Sequence, residues 1–274
     1  MKIKNNTTPK YILLIGLLFF SSIHQLISQN NGRADSYFLK ATDFKKNSMP
    51  DSACIYYEKA ADEYEKLKKV EQFIDAYNQI GVILTRQDQY EKAKTYLDKA
   101  LKVGLSSLDS NNLYVASTHI NLGVIYNADE KYDQALWHHY KALNIRLAQL
   151  DEFHPDVATS YGNLGNVHRN NQELDKSIEA HTKAMKIREK VFGPKSAEII
   201  ESYAGMGNAF KQKKEYSTAL TYFEKALQNK IIQRGEGHKD LIKFYKYISD
   251  TYYLADNKMK GDEYKKAWEA IEKQ

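Results

Sequence analysis

The sequence is most informative about its fold at residues 207–226, GNAFKQKKEYSTALTYFEKA. This stretch opens with Gly207, and small residues return at Ala219 and Ala226 with the aromatic Phe223 between them. The same spacing recurs every 42 residues: the glycines are Gly81, Gly123, Gly165 and Gly207, and the small residues that follow them are Ala93, Ala135, Ser177 and Ala219. A fixed period over four units indicates a tandem repeat.

Each repeat unit predicts two helices. Apolar residues recur at intervals of three and four around both the glycine and the later small residue, which is the spacing of an amphipathic helix. Short polar stretches separate the two segments, as at residues 87–89 and 129–131. Gly193 and Gly235 close later units, where a helix has to end. The unit is therefore predicted to be a helical hairpin, and a bulky residue at Gly165 is expected to open it.

The pattern resembles the tetratricopeptide repeat, whose hallmark is a small residue, alanine twelve positions later, an aromatic four further on and alanine three beyond. Ala219, Phe223 and Ala226 match it fully. The departures are Ser177 in place of alanine, and Leu97, His139 and His181 in place of the aromatic. The 42-residue period exceeds the usual period of about 34. This longer period makes the repeats similar to the kinesin light chain type. The sequence HPDVA at residues 154–158, followed by NLG at residues 163–165, is also similar to that type.

Two degenerate units flank the four clear ones, at residues 41–60 and 245–267. The resemblance implies an all-α fold, a right-handed superhelical solenoid of about six helix-turn-helix hairpins, with the first helices along the concave side. Stacking is also expected physically, because a single hairpin cannot bury its own apolar face. The repeats span nearly the whole chain, so we expect a non-enzymatic protein without a cofactor.

Residues 1–28 resemble a secretory signal peptide, because lysines precede the mostly apolar residues 11–20. We predict cleavage after Ser28, a linker over residues 29–33 and the repeat domain over residues 34–274. The expected location is periplasmic or secreted, in an exported bacterial protein. An anchor that stays uncleaved in the inner membrane is the alternative, since a longer reading of the apolar run approaches the roughly 20 residues of a spanning helix.

The net charge indicates which partners can be excluded, and the cysteine count indicates whether a disulfide can form. The formal net charge is +5, and three of the positive charges lie in residues 1–28, which leaves about +2 for the remainder. This gives little attraction to nucleic acid, and none is predicted as a partner. The single cysteine, Cys54, cannot form an internal disulfide and is expected to be buried and unreactive.

The polar face of the first helices is the predicted binding surface. Its candidate residues are Asn121, Asn127, Asn163, Asn166, Arg169, Asn208 and Lys211. Asn121 pairs in register with Asn163, Asn166 with Asn208, and Arg169 with Lys211, each 42 residues apart. Asparagine both donates and accepts hydrogen bonds, which suits a peptide backbone, and the cations suit a carboxylate. We predict a protein or peptide ligand here; the alternative is a merely solvated helix face.

Metal binding and catalysis find no support in the sequence. His139, His168 and His181 lie in neighbouring units, but there is no His-Glu-x-x-His helix and no cluster of cysteines, so no metal is predicted. The sequence also lacks a phosphate-binding loop, a nucleotide fingerprint and a nucleophile elbow. We therefore predict no catalytic residues.

An alternative function rests on the last predicted helix. It carries an apolar stripe of Tyr264, Ala267, Trp268 and Ile271, and no following helix is predicted to cover it. Such a stripe indicates self-association or a docked partner. The alternative is thus an exported sensory or structural module of a signalling system, or one half of a larger regulator, that acts through this helix.

Overall fold

The computed structural model of the chain describes residues 32–273, and all regular structure within that range is helical. The predicted signal peptide lies outside the described residues. Helix α1 covers residues 32–46 and so already includes residues 32 and 33 of the predicted linker. In the described part, no helix has both the length and the apolar character needed to cross a membrane.

The helices fall into two compact units divided after Ser110. The first unit holds α1 and then α2 (Pro50–Lys66), α3 (Val70–Arg86) and α4 (Tyr90–Ser107). The second holds α5 (Leu113–Ala128), α6 (Tyr132–Gln149), α7 (Pro155–Asn170), α8 (Leu174–Phe192), α9 (Ile200–Gln212), α10 (Tyr216–Arg234), a 3-10 helix (Lys239–Leu241), α11 (Ile242–Leu254) and α12 (Lys258–Glu272). Consecutive helices pair as six hairpins over residues 32–273, which confirms the predicted all-α hairpin fold.

The repeated glycines let the two helices of a hairpin approach closely. A Cβ atom added at Gly81, Gly123 or Gly207 would lie only 2.5–2.6 Å from a side chain of the second helix. The side chains in those places are Leu97, His139 and Phe223, the residues at the aromatic position of the repeat. The small residue and the large residue of the pattern therefore contact each other, as Gly165 and His181 also do, in each of the four hairpins that carry the repeated glycine.

Ser48 is in the left-handed region, with φ 56°, in the turn between α1 and α2, and each of the five later hairpin turns also contains one such residue. These residues are Asp88, Glu130, Gln172, Lys214 and Asp256, with φ between 57° and 63°, and they are 42 residues apart. The next amide closes the turn by donating back to the end of the first helix, as from Gln89 N to Leu84 O at 2.9 Å. None of the five is glycine, so the turn is stabilised by this bond rather than by glycine's freedom.

The departures from the repeat pattern have local explanations. Ser177 is fully buried where alanine is expected, and its hydroxyl donates to the carbonyl oxygen of Gly165 at 2.8 Å. In the last hairpin the direction is reversed: Ser249 on α11 occupies the glycine position, and its hydroxyl donates to Gly261 O on α12 at 2.8 Å. A buried hydroxyl costs stability only when it lacks a partner, so serine is tolerated at these positions.

Helix starts differ between repeats, and one difference shapes the site. In α7 the His154 ring accepts from Asp156 N at 3.1 Å, and Pro155 is the first helical residue. Proline suits this position because its missing N–H would have no partner there. Helix α9 begins only at Ile200, three residues later in register than α7.

Cys54 lies in α2 and is half-buried, less than the full burial that was expected. Desolvation raises the pKa of its thiol to about 11, with Glu58 and Asp51 adding to the effect. Because the thiolate is the reactive form, this thiol is unreactive near neutral pH.

Candidate functional site

A concave pocket of about 490 Å³ lies within the second unit. Helices α5, α7, α8, α9 and α11 contribute its walls. The polar residues that line it are Asn127, Thr159, Asn163, Asn166, Arg169, Asn170, His181, Arg188, Glu201, Asn208 and Tyr247. We call it the asparagine-arginine pocket. Its volume falls in the range of about 300–1,000 Å³ that is typical of ligand sites.

The pocket brings together five of the seven residues predicted from register. They are Asn127, Asn163, Asn166, Arg169 and Asn208. The other two, Asn121 and Lys211, are half-buried on α5 and α9 and do not line it. The Lys211 ammonium lies 5.7 Å from the ring centroid of Tyr247, so it borders the pocket.

The asparagines differ in whether their side-chain amides already form hydrogen bonds within the protein. Asn170 Nδ2 donates to Asn127 Oδ1 at 3.1 Å, and Asn208 Nδ2 donates to the Ala204 carbonyl at 3.0 Å. Among the described residues, the amides of Asn163 and Asn166 have no hydrogen-bond partner. These two side chains lie three residues apart on α7 and therefore share a face. They offer donors and acceptors to a ligand.

Space in the pocket comes from small residues on the first helices. A Cβ atom added at Gly162 would be no closer than 3.8 Å to any neighbouring atom, and that atom is Nη2 of Arg188. In register, Gly162 corresponds to Ile120 and to Ala204, and Ala204 also lines the pocket. An isoleucine at Gly162 would therefore fill the space that the fourth and fifth hairpins leave open.

Arg188 is a pocket residue that sequence reasoning missed, because it lies on the second helix of its repeat. Its Nη1 donates to Ser202 Oγ at 2.6 Å. Arg146, 42 residues earlier, donates from Nη1 to Ser160 Oγ at 2.9 Å and also to the Asp156 carbonyl at 2.8 Å. The shared spacing of these two arginine-serine pairs is the sequence signal that could have identified Arg188.

The pocket is electrostatically positive. Burial lowers the pKa of the Arg169 and Arg188 guanidiniums, which shows that both charges are partly desolvated. Within the described chain neither guanidinium has a carboxylate within 4.0 Å. The one acidic residue in the lining, Glu201, bonds to Lys243 Nζ at 2.9 Å. The charges of Glu201 and Glu198 also act on Arg188, where they partly oppose the effect of burial on its pKa.

His181 lies beneath the pocket and was also missed as a site residue. Its ring packs between Gly165 on α7 and Gly205 on α9, and both ring nitrogens are buried without a hydrogen-bond partner. Desolvation, and then the charges of Arg169 and Arg188, lower its pKa to about 3. The ring is therefore neutral at pH 7 and adds no charge to the pocket.

His139, His168 and His181, the histidines that the sequence offers as candidate metal ligands, lie in separate surroundings. His139 packs against Gly123, and His181 lies against Gly165 and Gly205. His168 hydrogen-bonds through Nδ1 to Glu173 Oε2 at 2.6 Å. No group of three or more His, Cys, Asp or Glu side chains that could hold a metal ion occurs among residues 32–273.

The apolar stripe expected on the last helix is only partly open. Ile271 is buried, and Tyr264 packs against the core of the second unit. Trp268 is half-buried, with Lys246 Nζ 4.2 Å from its ring centroid. The stripe thus mostly faces its own unit. The exposed apolar side chains nearby are Leu254 and Met259, at the turn between α11 and α12.

Comparison with solved structures places the fold. BtubC (BKLC) from P. vanneervenii has a TM-score of 0.66 at 15% identity, over 89% of this chain and 91% of that one. The nearly identical TPR-like repeats of a Podosopora anserina protein described as a kinesin light chain have a TM-score of 0.60 at 15% identity, over 74% and 97%. PilF of Pseudomonas aeruginosa has a TM-score of 0.60 at 16% identity, over 86% and 90%.

Sequence comparison identifies the family. No curated protein sequence matches the chain significantly. The profile of the tetratricopeptide repeat family matches residues 72–148, 114–169 and 156–231, which together cover more than half of the chain. The matched segments contain all four of the clear repeat units. The chain therefore belongs to the tetratricopeptide repeat family, with repeats that resemble those of kinesin light chains.

Proposed function

We propose that this protein is an interaction scaffold that binds an extended peptide segment of a partner protein in the asparagine-arginine pocket. The tetratricopeptide fold is typical of protein–protein interaction scaffolds, and the family is generally non-enzymatic. One observation carries the choice of site: five of the seven polar residues predicted on the first helices, among them the register pair Asn166 and Asn208, line one concave pocket within a single unit.

The chemistry of the pocket suits a peptide backbone. An extended segment presents N–H and C=O groups along both edges, and each asparagine amide can pair with one of either kind. The unpartnered amides of Asn163 and Asn166 lie on α7, and Asn208 continues the row on α9. A peptide that follows this row would satisfy polar groups that the protein itself leaves open.

The cellular location and the alternative function stay predictions. Export depends on residues 1–28, which lie outside the described residues. A sensory or structural module acting through the last helix has less support, because Ile271 is buried and Tyr264 packs inward. We therefore include export in the proposal and place the interaction in the pocket.

Alanine at Asn163, Asn166 and Asn208 together is expected to abolish capture of the partner. The variant removes the amides that would pair with the peptide backbone. It should fold at least as well as the original chain, since alanine is a better helix former than asparagine by about 0.6 kcal/mol per residue. Affinity capture from the extracellular and envelope fractions of the native organism, followed by mass spectrometry, measures the effect.

The matched control is Asn144→Ala, which removes an exposed asparagine on α6 away from the pocket. This variant should capture the same partner as the original chain. If the triple variant keeps the partner while its helicity is unchanged, the pocket is not the binding surface.

Isoleucine at Gly162 is expected to block the pocket without unfolding the repeat. A Cβ atom at this position meets nothing closer than 3.8 Å, and the rest of the side chain would occupy the ligand space. Gly162→Ala is the control, since it adds the Cβ alone and should stabilise α7 by about 1 kcal/mol. We expect capture by the alanine variant and none by the isoleucine variant. Capture by both would place the ligand elsewhere.

A further inference from the structure

We propose that the asparagine-arginine pocket is a site for a doubly charged oxyanion, of the phosphate or sulfate type, held between Arg169 and Arg188. Where the oxyanion is a phosphorylated side chain of a peptide, the inference rests on the proposed function and deepens it. A free phosphate ester would offer the same group to the same residues, and the experiment below separates the two sources.

Arg169 is poorly satisfied by the protein itself. Its Nε atom is buried without a hydrogen-bond partner, and Nη2 donates to Asn170 Oδ1 at 3.2 Å. Guanidinium groups buried in proteins are normally paired with a carboxylate or with several acceptors. A purely structural role does not account for a half-buried arginine whose buried Nε has no partner, whereas an incoming oxyanion would complete its hydrogen bonding.

Arg188 is left available by the late start of α9. Its counterpart Arg146 reaches the Asp156 carbonyl because α7 has already begun at Pro155. The residue equivalent to Asp156 is Glu198, which precedes the first residue of α9, and Arg188 donates only to Ser202 Oγ. The guanidinium therefore keeps donors that Arg146 has already used.

The balance of charge favours a dianion. The two guanidiniums face one pocket, and Glu201, the acidic residue in its lining, is already bonded to Lys243. Lys211 adds a third positive charge nearby, since its ammonium lies 5.7 Å from the ring centroid of Tyr247, which lines the pocket. Burial lowers the pKa of Lys211, and the Arg169 charge adds to this effect while Asp250 opposes it. Neutral His181 contributes none. One doubly charged group would neutralise both guanidiniums at once, and the asparagine amides would donate to its remaining oxygens.

Sulfate is a suitable probe, because it keeps two negative charges at every pH of interest. We expect calorimetric titration of the whole chain with sodium sulfate, against sodium chloride at equal ionic strength, to show saturable binding at one site. Arg169→Gln and Arg188→Gln should each weaken it by about tenfold or more, as expected for loss of a charge-assisted hydrogen bond.

Two controls separate a ligand role from a structural one. Lys186→Gln removes an exposed charge from the same helix as Arg188 and should leave the sulfate affinity within about twofold, since an exposed and distant charge is largely screened. Arg169→Gln should melt at the same temperature as the original chain or higher, because a poorly paired buried charge is removed. A structural arginine would give the reverse: lower thermal stability and unchanged sulfate binding.

Phosphate probes then distinguish the sources. A capped glycine-serine nonapeptide with one phosphoserine should bind more tightly than inorganic phosphate if the anion belongs to a peptide, and equally if it belongs to a small molecule. Sulfate that fails to saturate, or binds Arg169→Gln as well as the original chain, overturns the inference. The proposed scaffold function would survive that result as long as the asparagine variant still loses its partner.

Discussion

Gly205→Ala is expected to destabilise the protein by about 1–2 kcal/mol, although alanine is normally the better helix former. The added Cβ atom would lie 2.4 Å from Cε1 of His181. The ring has little room to move away, because it also packs closely against Gly165 on its other side. A Cβ atom added at Gly165 would lie 2.8 Å from the ring. Overpacking of this kind costs about 1–3 kcal/mol or more and outweighs a helix-propensity gain of about 1 kcal/mol.

Thermal melting measures this effect, with Gly162→Ala as the comparison. For a chain of this size, 1–2 kcal/mol corresponds to a fall of about 2–8 °C. The same substitution at Gly162 should raise the melting temperature, since its Cβ atom enters open space. In a His181→Ala background, Gly205→Ala should cost little, because the ring that causes the clash is gone. Equal effects at the two glycines would show that the predicted contact is wrong.

Acid is expected to unfold the protein through its buried histidines. Desolvation is the main cause that lowers the pKa of His119 to about 4 and those of His139 and His181 to about 3. An unfolded histidine takes up a proton near pH 6.5, while the folded ones stay neutral until pH 3–4. Stability is therefore full above about pH 6.5 and falls as the pH decreases toward 4, by about 1.4 kcal/mol per pH unit for each histidine.

The His119–His138 pair adds to this loss. The two Nδ1 atoms are 2.9 Å apart, so a hydrogen bond between them requires one nitrogen protonated and the other bare. When both nitrogens are protonated, neither can accept, and this hydrogen bond is lost.

The Glu173 carboxylate affects stability in a different pH range. Lys176 and His168 lower its pKa to about 2, so its contribution to stability is lost only below about pH 4.

Urea unfolding at pH 4.5–7 tests the acid prediction. His139→Leu and His181→Leu place in the third and fourth hairpins the residue that the second hairpin has at Leu97, which is fully buried. Each variant should reduce the slope of stability against pH by about 1.4 kcal/mol per unit below pH 6.5. A slope that remains unchanged in the double variant would mean that other groups, and not these rings, take up the protons.

The sequence contained enough information for the hairpins and for part of the site. The glycine and alanine spacing predicted six hairpins, and the polar residues in register on the first helices included five that line the pocket. Periodicity is a local property, so it indicates which face of a helix is polar. It already placed most candidates on the fourth and fifth hairpins, namely Asn163, Asn166, Arg169, Asn208 and Lys211, but it did not indicate the open space between these hairpins.

Arg188, His181 and the opening at Gly162 came only from the structure. Arg188 and His181 lie on a second helix, whose repeat positions had been assigned to packing, and they reach the pocket because α8 packs against α9. Side chains near Gly162 leave open space in the pocket, and the spacing of residues along the sequence does not indicate this space.

The sequence by itself determined the repeat length, the hairpin unit and the polar character of the first helices, since these follow from residue periodicity and from where glycine and alanine recur. Tertiary structure alone decided that Arg169 and Arg188 share a pocket without a carboxylate partner. The physical reason is that burial and pairing depend on where neighbouring hairpins begin, as the late start of α9 at Ile200 shows.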